Sequence, residues 1–271
     1  MVSATDGTVV GVVDPSATVG DALAATRERV TVIEGTVSAV LEADPSFVVT
    51  TDRSAIGLLV RSDHELPVLP VACGPDVRSI QASDLESAVA AVLDGRAERT
   101  HLETLAVEVP TVDPSEGSGT TPEGDATVST ADYTHRAAFS VALFPDEPAR
   151  ISEYAIRWRD ELLARVRADG VVVATPAGTR GYAGAAGGAV CSVELGALVV
   201  VPVSPFTTTR RQWILPAEEV SISVERDECP ISLQADDEVV GRVDTGVDVS
   251  VTTGAELEIL LVDGSEREFS T

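Results

Sequence analysis

Up to about residue 100, the apolar residues come in short continuous runs separated by stretches of helical spacing. Gly7 to Val13 is a run of that kind closed by Asp14-Pro15-Ser16, which predicts a buried strand and a turn. Ala22, Leu23, Ala24, Ala25 and Val30 follow at helical spacing, then a short strand at Thr31-Val32-Ile33 and a second helix through Val37, Val40 and Leu41. Asp44-Pro45-Ser46 turns into the strand Phe47-Val48-Val49, and Leu58 and Leu59 belong to the next helix. Ala82 to Leu93 is a patterned helix with Ser83 as N-cap, Glu86 three residues on and Gly95 just past its end. This β-α-β-α alternation predicts a doubly wound α/β sheet over residues 1–100.

Beyond residue 100 the period falls to two. Leu102 to Val109 and His135 to Leu143 alternate as strands, joined by Pro110 to Asp132, whose Ser, Thr, Gly, Pro and acidic residues predict a long exposed hairpin loop. Ile151 to Val166 reads as a strand pair around Trp158, turning at Arg159-Asp160-Glu161. Val171 to Val173, Leu198 to Val203, Trp213 to Pro216, Val220 to Val224, Ile231 to Gln234, Val239-Val240, Val247 to Val251 and Leu257 to Val262 continue the β pattern. The expected fold class is therefore α/β followed by all-β, with a β-rich domain over residues 101–271.

Composition changes this picture in what it excludes. All 19 basic residues are Arg, with no Lys, against 44 Asp plus Glu, for a net charge of −25. A Schiff-base lysine and a P-loop are therefore excluded, and no basic stripe is available to replace the counterions of a nucleic acid. The acidity resembles that of proteins adapted to molar intracellular salt, where self-repulsion is screened. Cys73, Cys191 and Cys229 have neither CxxC spacing nor an even count, so three free thiols are expected. His64, His101 and His135 share no triad or metal spacing, and no G-x-S-x-G elbow occurs. No charged-then-apolar leader opens the sequence and no apolar run reaches the length of a membrane helix, so a cytoplasmic protein without a membrane partner is expected.

Candidate chemistry concentrates in Asp169-Gly170-Val171-Val172-Val173-Ala174-Thr175-Pro176-Ala177-Gly178-Thr179-Arg180-Gly181-Tyr182 and the small-residue run through Gly188. A β-branched strand enters a Thr-Pro-x-Gly turn, beyond which side chains too small to obstruct a ligand predict a backbone-lined pocket. A second candidate is Thr50-Thr51-Asp52-Arg53-Ser54, directly after a strand, where open parallel sheets bind ligands.

The first stretch closely resembles the DG-(L/V)-I-V-(A/S)-T-P-x-G-S-T-A-Y-x-x-(S/A)-x-GG signature of the NAD kinase family, with Asp169, Gly170, Thr175, Pro176, Gly178, Tyr182, Gly187 and Gly188 in register. The resemblance implies phosphorylation of the adenosine-ribose 2′-hydroxyl of NAD to give NADP, with Mg2+ and ATP or polyphosphate, in a homodimer or homotetramer. It implies that Asp52 contacts the ribose hydroxyls and acts as base, that Asp169 lies beside the nicotinamide-ribose end, and that Tyr182 packs on a base or ribose. Thr51, Arg53, Ser54, Gly178, Thr179, Arg180 and Gly181 complete the implied binding set for NAD(H) or NADP(H).

The family's Gly-Gly-Asp-Gly-Thr loop keeps only its Asp here, since Thr50, Thr51 and Arg53 stand for the glycines. The family's Asn-Glu pair is Phe139-Ser140, and the Leu-Gly-Phe-Leu after Gly74 is Asp76-Val77-Arg78-Ser79. A degenerate homologue that binds a nucleotide or a protein partner in a regulatory role is the alternative reading. Arg53 and Arg180 are expected to face the pocket, either forking a phosphate or pairing with Asp52 and Asp169.

Overall fold

The computed structural model describes residues 8–15, 19, 23–62, 64–110, 133–147, 150–207, 211–267 and 269. The connector expected to form an exposed hairpin loop lies, from residue 111 to 132, outside the described residues. In chain order the first elements are β1 (Val9–Val13), α1 (Ala24–Arg27), β2 (Thr31–Glu34), α2 (Val37–Glu42), β3 (Phe47–Thr50), α3 (Arg53–Arg61), β4 (Val68–Pro70), α4 (Leu85–Leu93) and β5 (Glu98–Leu102). There follow β6 (Leu105–Val109), β7 (Tyr133–Ala137), β8 (Ser140–Pro145), β9 (Ser152–Trp158), β10 (Glu161–Ala168), β11 (Gly170–Ala174), α5 (Tyr182–Ala185), β12 (Ala197–Val203) and β13 (Trp213–Pro216). The chain closes with β14 (Val220–Arg226), β15 (Ile231–Ala235), β16 (Glu238–Val243), β17 (Asp248–Thr253) and β18 (Leu257–Leu261).

These strands build three six-stranded sheets. The first runs β2-β1-β3-β4-β18-β5 and is parallel from β2 to β18. Its strands read as continuous apolar runs because both faces are covered. Val10, Val12, Phe47, Val49 and Leu69 pack with Leu23, Leu85 and Val89 on one side. Val48, Val68 and Ile259 pack with Val37, Val40, Ile56 and Leu59 on the other. The last strand, β18, returns from the β-rich half and inserts between β4 and β5, parallel to one and antiparallel to the other. The two ends of the chain thus share one sheet.

The second sheet, β10-β9-β14-β17-β6-β7, and the third, β13-β12-β11-β8-β15-β16, are antiparallel throughout. They face each other across one core, where Leu105, Tyr154, Ile156 and Ile222 meet Val141, Leu143, Val171 and Leu198. The opposite face of the third sheet carries Val172, Ala174 and Val199, covered by Ala183 of α5 and by Cys191.

Three expectations are corrected. The stretch from His135 to Leu143 is two strands, because the chain turns a corner at Ala138-Phe139 and passes from the second sheet to the third. Leu102 to Val109 likewise divides, β5 joining the first sheet and β6 the second. Ser83 is not the N-cap of α4: a single 3-10 turn at Ala82–Asp84 comes first and moves the cap to Asp84. The tight turn after Trp158 forms as read, Arg159 and Asp160 taking φ of 49° and 63°, the left-handed pair that matches strand twist.

Candidate functional site

The carboxyl ends of β1, β2 and β3 open on one cavity. The chain steps from β1 to β2 on one side and then to β3 on the other, so the sheet's topological switch point lies between β1 and β3. The cavity there, of about 370 Å³, is lined by Val13, Asp14, Glu34, Gly35, Thr36 and Asp52 among others. Three of those side chains are carboxylates, and among the described residues no arginine lines it. Glu34 is balanced from outside by an ion pair with Arg27.

The loop after β3 is short because α3 begins at once. Asp52 is its N-cap, with Oδ1 accepting from the Ser54 amide at 2.9 Å. Thr51 donates its hydroxyl to Asp14 Oδ1 at 2.6 Å, tying the ends of β3 and β1 together, and Asp14 Oδ2 accepts from the Val19 amide at 2.8 Å. The amides of this turn are largely committed internally: Thr51 N–H to Val13 O at 3.2 Å, Asp52 N–H to Thr50 Oγ1 at 3.1 Å and Ala55 N–H to Asp52 O at 3.2 Å. A glycine loop offers such amides to phosphates; this one closes on itself.

The Thr-Pro-x-Gly turn follows β11. Thr175 Oγ1 accepts from the Gly178 amide at 3.2 Å, and the Thr175 amide donates to Phe139 O at 2.9 Å. Gly178 is required sterically, since a Cβ there would lie 1.9 Å from Phe139 O. A Cβ on Gly188 would stand 2.7 Å from Ala183 O. On their Cβ side, Gly178 and Gly188 admit neighbouring backbone at distances that a side chain would forbid. Thr179 is fully buried, donating to Pro176 O at 2.6 Å and accepting from the Cys191 amide at 3.2 Å.

Arg53 joins this turn to α3. It donates to Ala177 O at 2.8 Å, its guanidinium carbon lies 3.7 Å from the Phe139 ring centroid, and it pairs with Asp76, whose side chain is only 6% exposed. Its partner is thus Asp76, not Asp52. Phe139 is held in turn by Asp236, whose carboxylate accepts from the amides of Ala138, Phe139 and Ser140 at 3.0, 2.7 and 3.1 Å. Burial raises the Asp236 pKa, opposed by those three amides and by Arg61. Beneath the site Cys73 donates toward Thr50 O and Val71 O, and burial pushes its thiol up to about 11.

The sequence candidates therefore separate. Thr51, Asp52, Arg53 and Ser54 stand at the start of α3, and Arg53 links them through the Ala177 carbonyl to the turn that carries Gly178 and Thr179. Asp169 stands at the opposite end of β11 from Thr175, six residues or roughly 20 Å along an extended strand. Arg180 is exposed and approaches the Phe269 ring at 5.7 Å. Tyr182 is 51% exposed with its ring 5.1 Å from that of Phe144, and Gly181 is exposed. Sequence reasoning missed Asp14, Glu34 and Thr36. The available signal was positional, since each stands just after a predicted strand. Among the described residues no cluster of His, Cys, Asp and Glu is arranged to hold a metal ion by itself.

Comparison with known proteins agrees with this architecture. The profile of the ATP-NAD kinase C-terminal domain matches residues 140–261. An NAD kinase of Methanosarcina mazei is 41% identical over 85 residues, 31% of this chain and 29% of the relative. An NAD kinase of Pseudomonas putida is 31% identical over 188 residues, 68% of this chain and 58% of the relative. The chain thus spans about a third of the first of these relatives and somewhat over half of the second. In structure, yeast NADH kinase complexed with NADH superposes with a TM-score of 0.73 over 95% of this chain and 84% of its own, at 17% identity. An NAD kinase from Archaeoglobus fulgidus in complex with ATP gives 0.72 over 93% of both chains, also at 17% identity.

Proposed function

The chain belongs to the NAD kinase family, and from that membership we propose that it transfers a phosphoryl group to the 2′-hydroxyl of the adenosine ribose of NAD, giving NADP. One observation carries the reading. Asp52 lines the switch-point cavity with its carboxylate oriented by the Ser54 amide, at the junction that Arg53 ties to the Thr-Pro-x-Gly turn.

Phosphoryl transfer is catalysed mainly by alignment and charge stabilisation, with a residue to accept the hydroxyl proton. Asp52 is the base in this proposal. Its Oδ1 is fixed by an amide, so the carboxylate presents one geometry to a ribose hydroxyl seated between β1 and β3. Asp14, braced by Thr51 and by the Val19 amide, sets the neighbouring wall. Magnesium is held by one or two carboxylates together with substrate phosphates, and Asp14, Glu34 and Asp52 supply oxygen donors of that kind. Bound there it would neutralise charge on the phosphoryl donor, ATP or polyphosphate. The acidic, lysine-free composition argues against nucleic acid as a partner, and the reading takes NAD(H) or NADP(H) and the phosphoryl donor as partners of a cytoplasmic homodimer or homotetramer adapted to salt.

A second reading has its own observation, the internal commitment of the amides between Thr51 and Ala55. A protein that holds a nucleotide without turnover would tolerate that closed loop. Incubation with NAD, magnesium and either ATP or polyphosphate in molar KCl separates the two: NADP appears under the first reading, and binding without product under the second.

A further inference from the structure

We propose that Arg53 is a positioning residue, its guanidinium setting the Thr175–Gly178 turn of the β-rich half against Asp52 of the α/β half. The kinetic consequence rests on the phosphoryl-transfer reading; the mechanical one does not.

Three surfaces converge on this one side chain. Its edge meets the Asp76 carboxylate and the Ala177 carbonyl, the latter at 2.8 Å, while its face lies on the Phe139 ring. Each of the three is itself anchored. Asp76 is buried in a 3-10 turn after β4, Phe139 hangs from Asp236 by its amide, and Ala177 belongs to the turn closed by Thr175 and Gly178. A planar fork that donates in its plane and stacks on its face can satisfy all three at once; an ammonium is a point charge and cannot.

The other end of the connection is the backbone. Arg53 is the first residue of α3 and Asp52 is its N-cap, so the anchored residue and the candidate base are adjacent in the chain. Arg61, eight residues or roughly 12 Å further along the helix, also reaches the β-rich half, donating to Glu238 at 2.8 Å and pairing with Asp236. It pins the far end of α3 without touching the turn. Arg61 holds the halves together through the carboxylate that anchors Phe139, while Arg53 reaches the turn itself. Where the family has a glycine, this chain has exchanged an amide-presenting loop for a side-chain strut.

Removing the guanidinium alone would leave the buried Asp76 carboxylate unpaired, which is strongly destabilising. The double variant Arg53→Ala/Asp76→Asn removes both charges and is compared with Arg53→Lys, Arg61→Ala and the wild type, all as full chains in molar KCl. Amide hydrogen exchange is read first. Gly178 and Thr179 exchange about tenfold faster in the double variant, while the amides of residues 138–140 keep wild-type protection. Unchanged exchange at Gly178 and Thr179 overturns the proposal whether or not the protein turns over.

In the kinetic arm, the double variant loses about 100-fold in kcat, the scale of a small misplacement, with KM for NAD within about threefold. Arg53→Lys restores melting temperature but not kcat, and Arg61→Ala lowers melting temperature. Wild-type kcat in the double variant or in Arg53→Lys would overturn the proposal. An inactive wild type would defeat the phosphoryl-transfer reading alone and leave the exchange result to decide the strut.

Discussion

Asp14, Asp52 and Cys73 show how little a residue's identity says before its neighbours are known. Asp52 stood out because it follows a strand, yet Asp14 does the same and lines the same cavity. Their link through Thr51 spans 37 residues, a contact that periodicity does not encode. Arg53 was legible as a foreign charge in a glycine position, but its partner Asp76 lies in a segment notable only for having lost apolar residues. Asp169 illustrates the reverse case: it belongs to the same motif as Thr175, but an extended strand carries the two apart. Cys73 yields a prediction at this scale. With its thiol raised from 9.0 to about 11 by burial, it stays protonated through neutral pH and alkylates slowly until the pH nears that value. Linkage has the same sign: the unfolded thiol ionises first, so this group's contribution to stability is present below pH 9 and lost as pH rises through about 11. Peptide mapping after iodoacetamide treatment checks it, and rapid labelling of Cys73 at pH 7 in the folded protein would contradict it.

Among elements, α3 contributes most to the site. Its helical stretch was visible in Leu58 and Leu59, of which Leu59 is buried and Leu58 is 38% exposed, and its start at Arg53 was not, because an N-cap Asp and a loop Asp look alike in one dimension. Its single glycine carries a testable consequence. In a helix interior, Gly→Ala ordinarily gains up to about 1 kcal/mol. At Gly57, however, a Cβ would lie 2.6 Å from Asp236 Oδ2, the carboxylate that holds the Ala138-Phe139 corner. Gly57→Ala should therefore lose about 1–3 kcal/mol in denaturant unfolding, and a gain would show that the corner is not packed as described. The same corner explains why one alternating run became β7 and β8. A strand that changes sheets keeps its period of two, so the bend leaves no mark in the polarity pattern. The second half was legible by alternation where a strand faces the sandwich core on one side only, as in β6 and β17, whereas β11 and β12 are covered on both faces and read as continuous apolar runs.

At the scale of the molecule, the return of β18 was hidden, since a five-residue apolar strand reads identically in either half. The order of α/β and β-rich regions was legible because the change of period is long and abrupt. Charge is the other global property, and it has a direct consequence. A net charge of −25 on 271 residues makes self-repulsion oppose compaction, and that repulsion weakens as the screening length falls from about 10 Å at 0.1 M salt to about 3 Å at 1 M. Melting temperature should rise steadily with KCl through that range; a flat profile would contradict a destabilising self-repulsion.

The central claim concerns Asp52 and the cavity between β1 and β3. The most direct measurement is NADP formation by the purified chain in molar KCl with NAD, magnesium and ATP or polyphosphate, beside Asp52→Asn, which keeps an oxygen to cap α3 and removes the proposed base. The account predicts turnover in the wild type and a loss of at least about 100-fold in kcat for Asp52→Asn, with NAD binding retained. Equal turnover in the two proteins would contradict the assignment of Asp52, and no turnover in either would leave a nucleotide-binding protein in place of an enzyme.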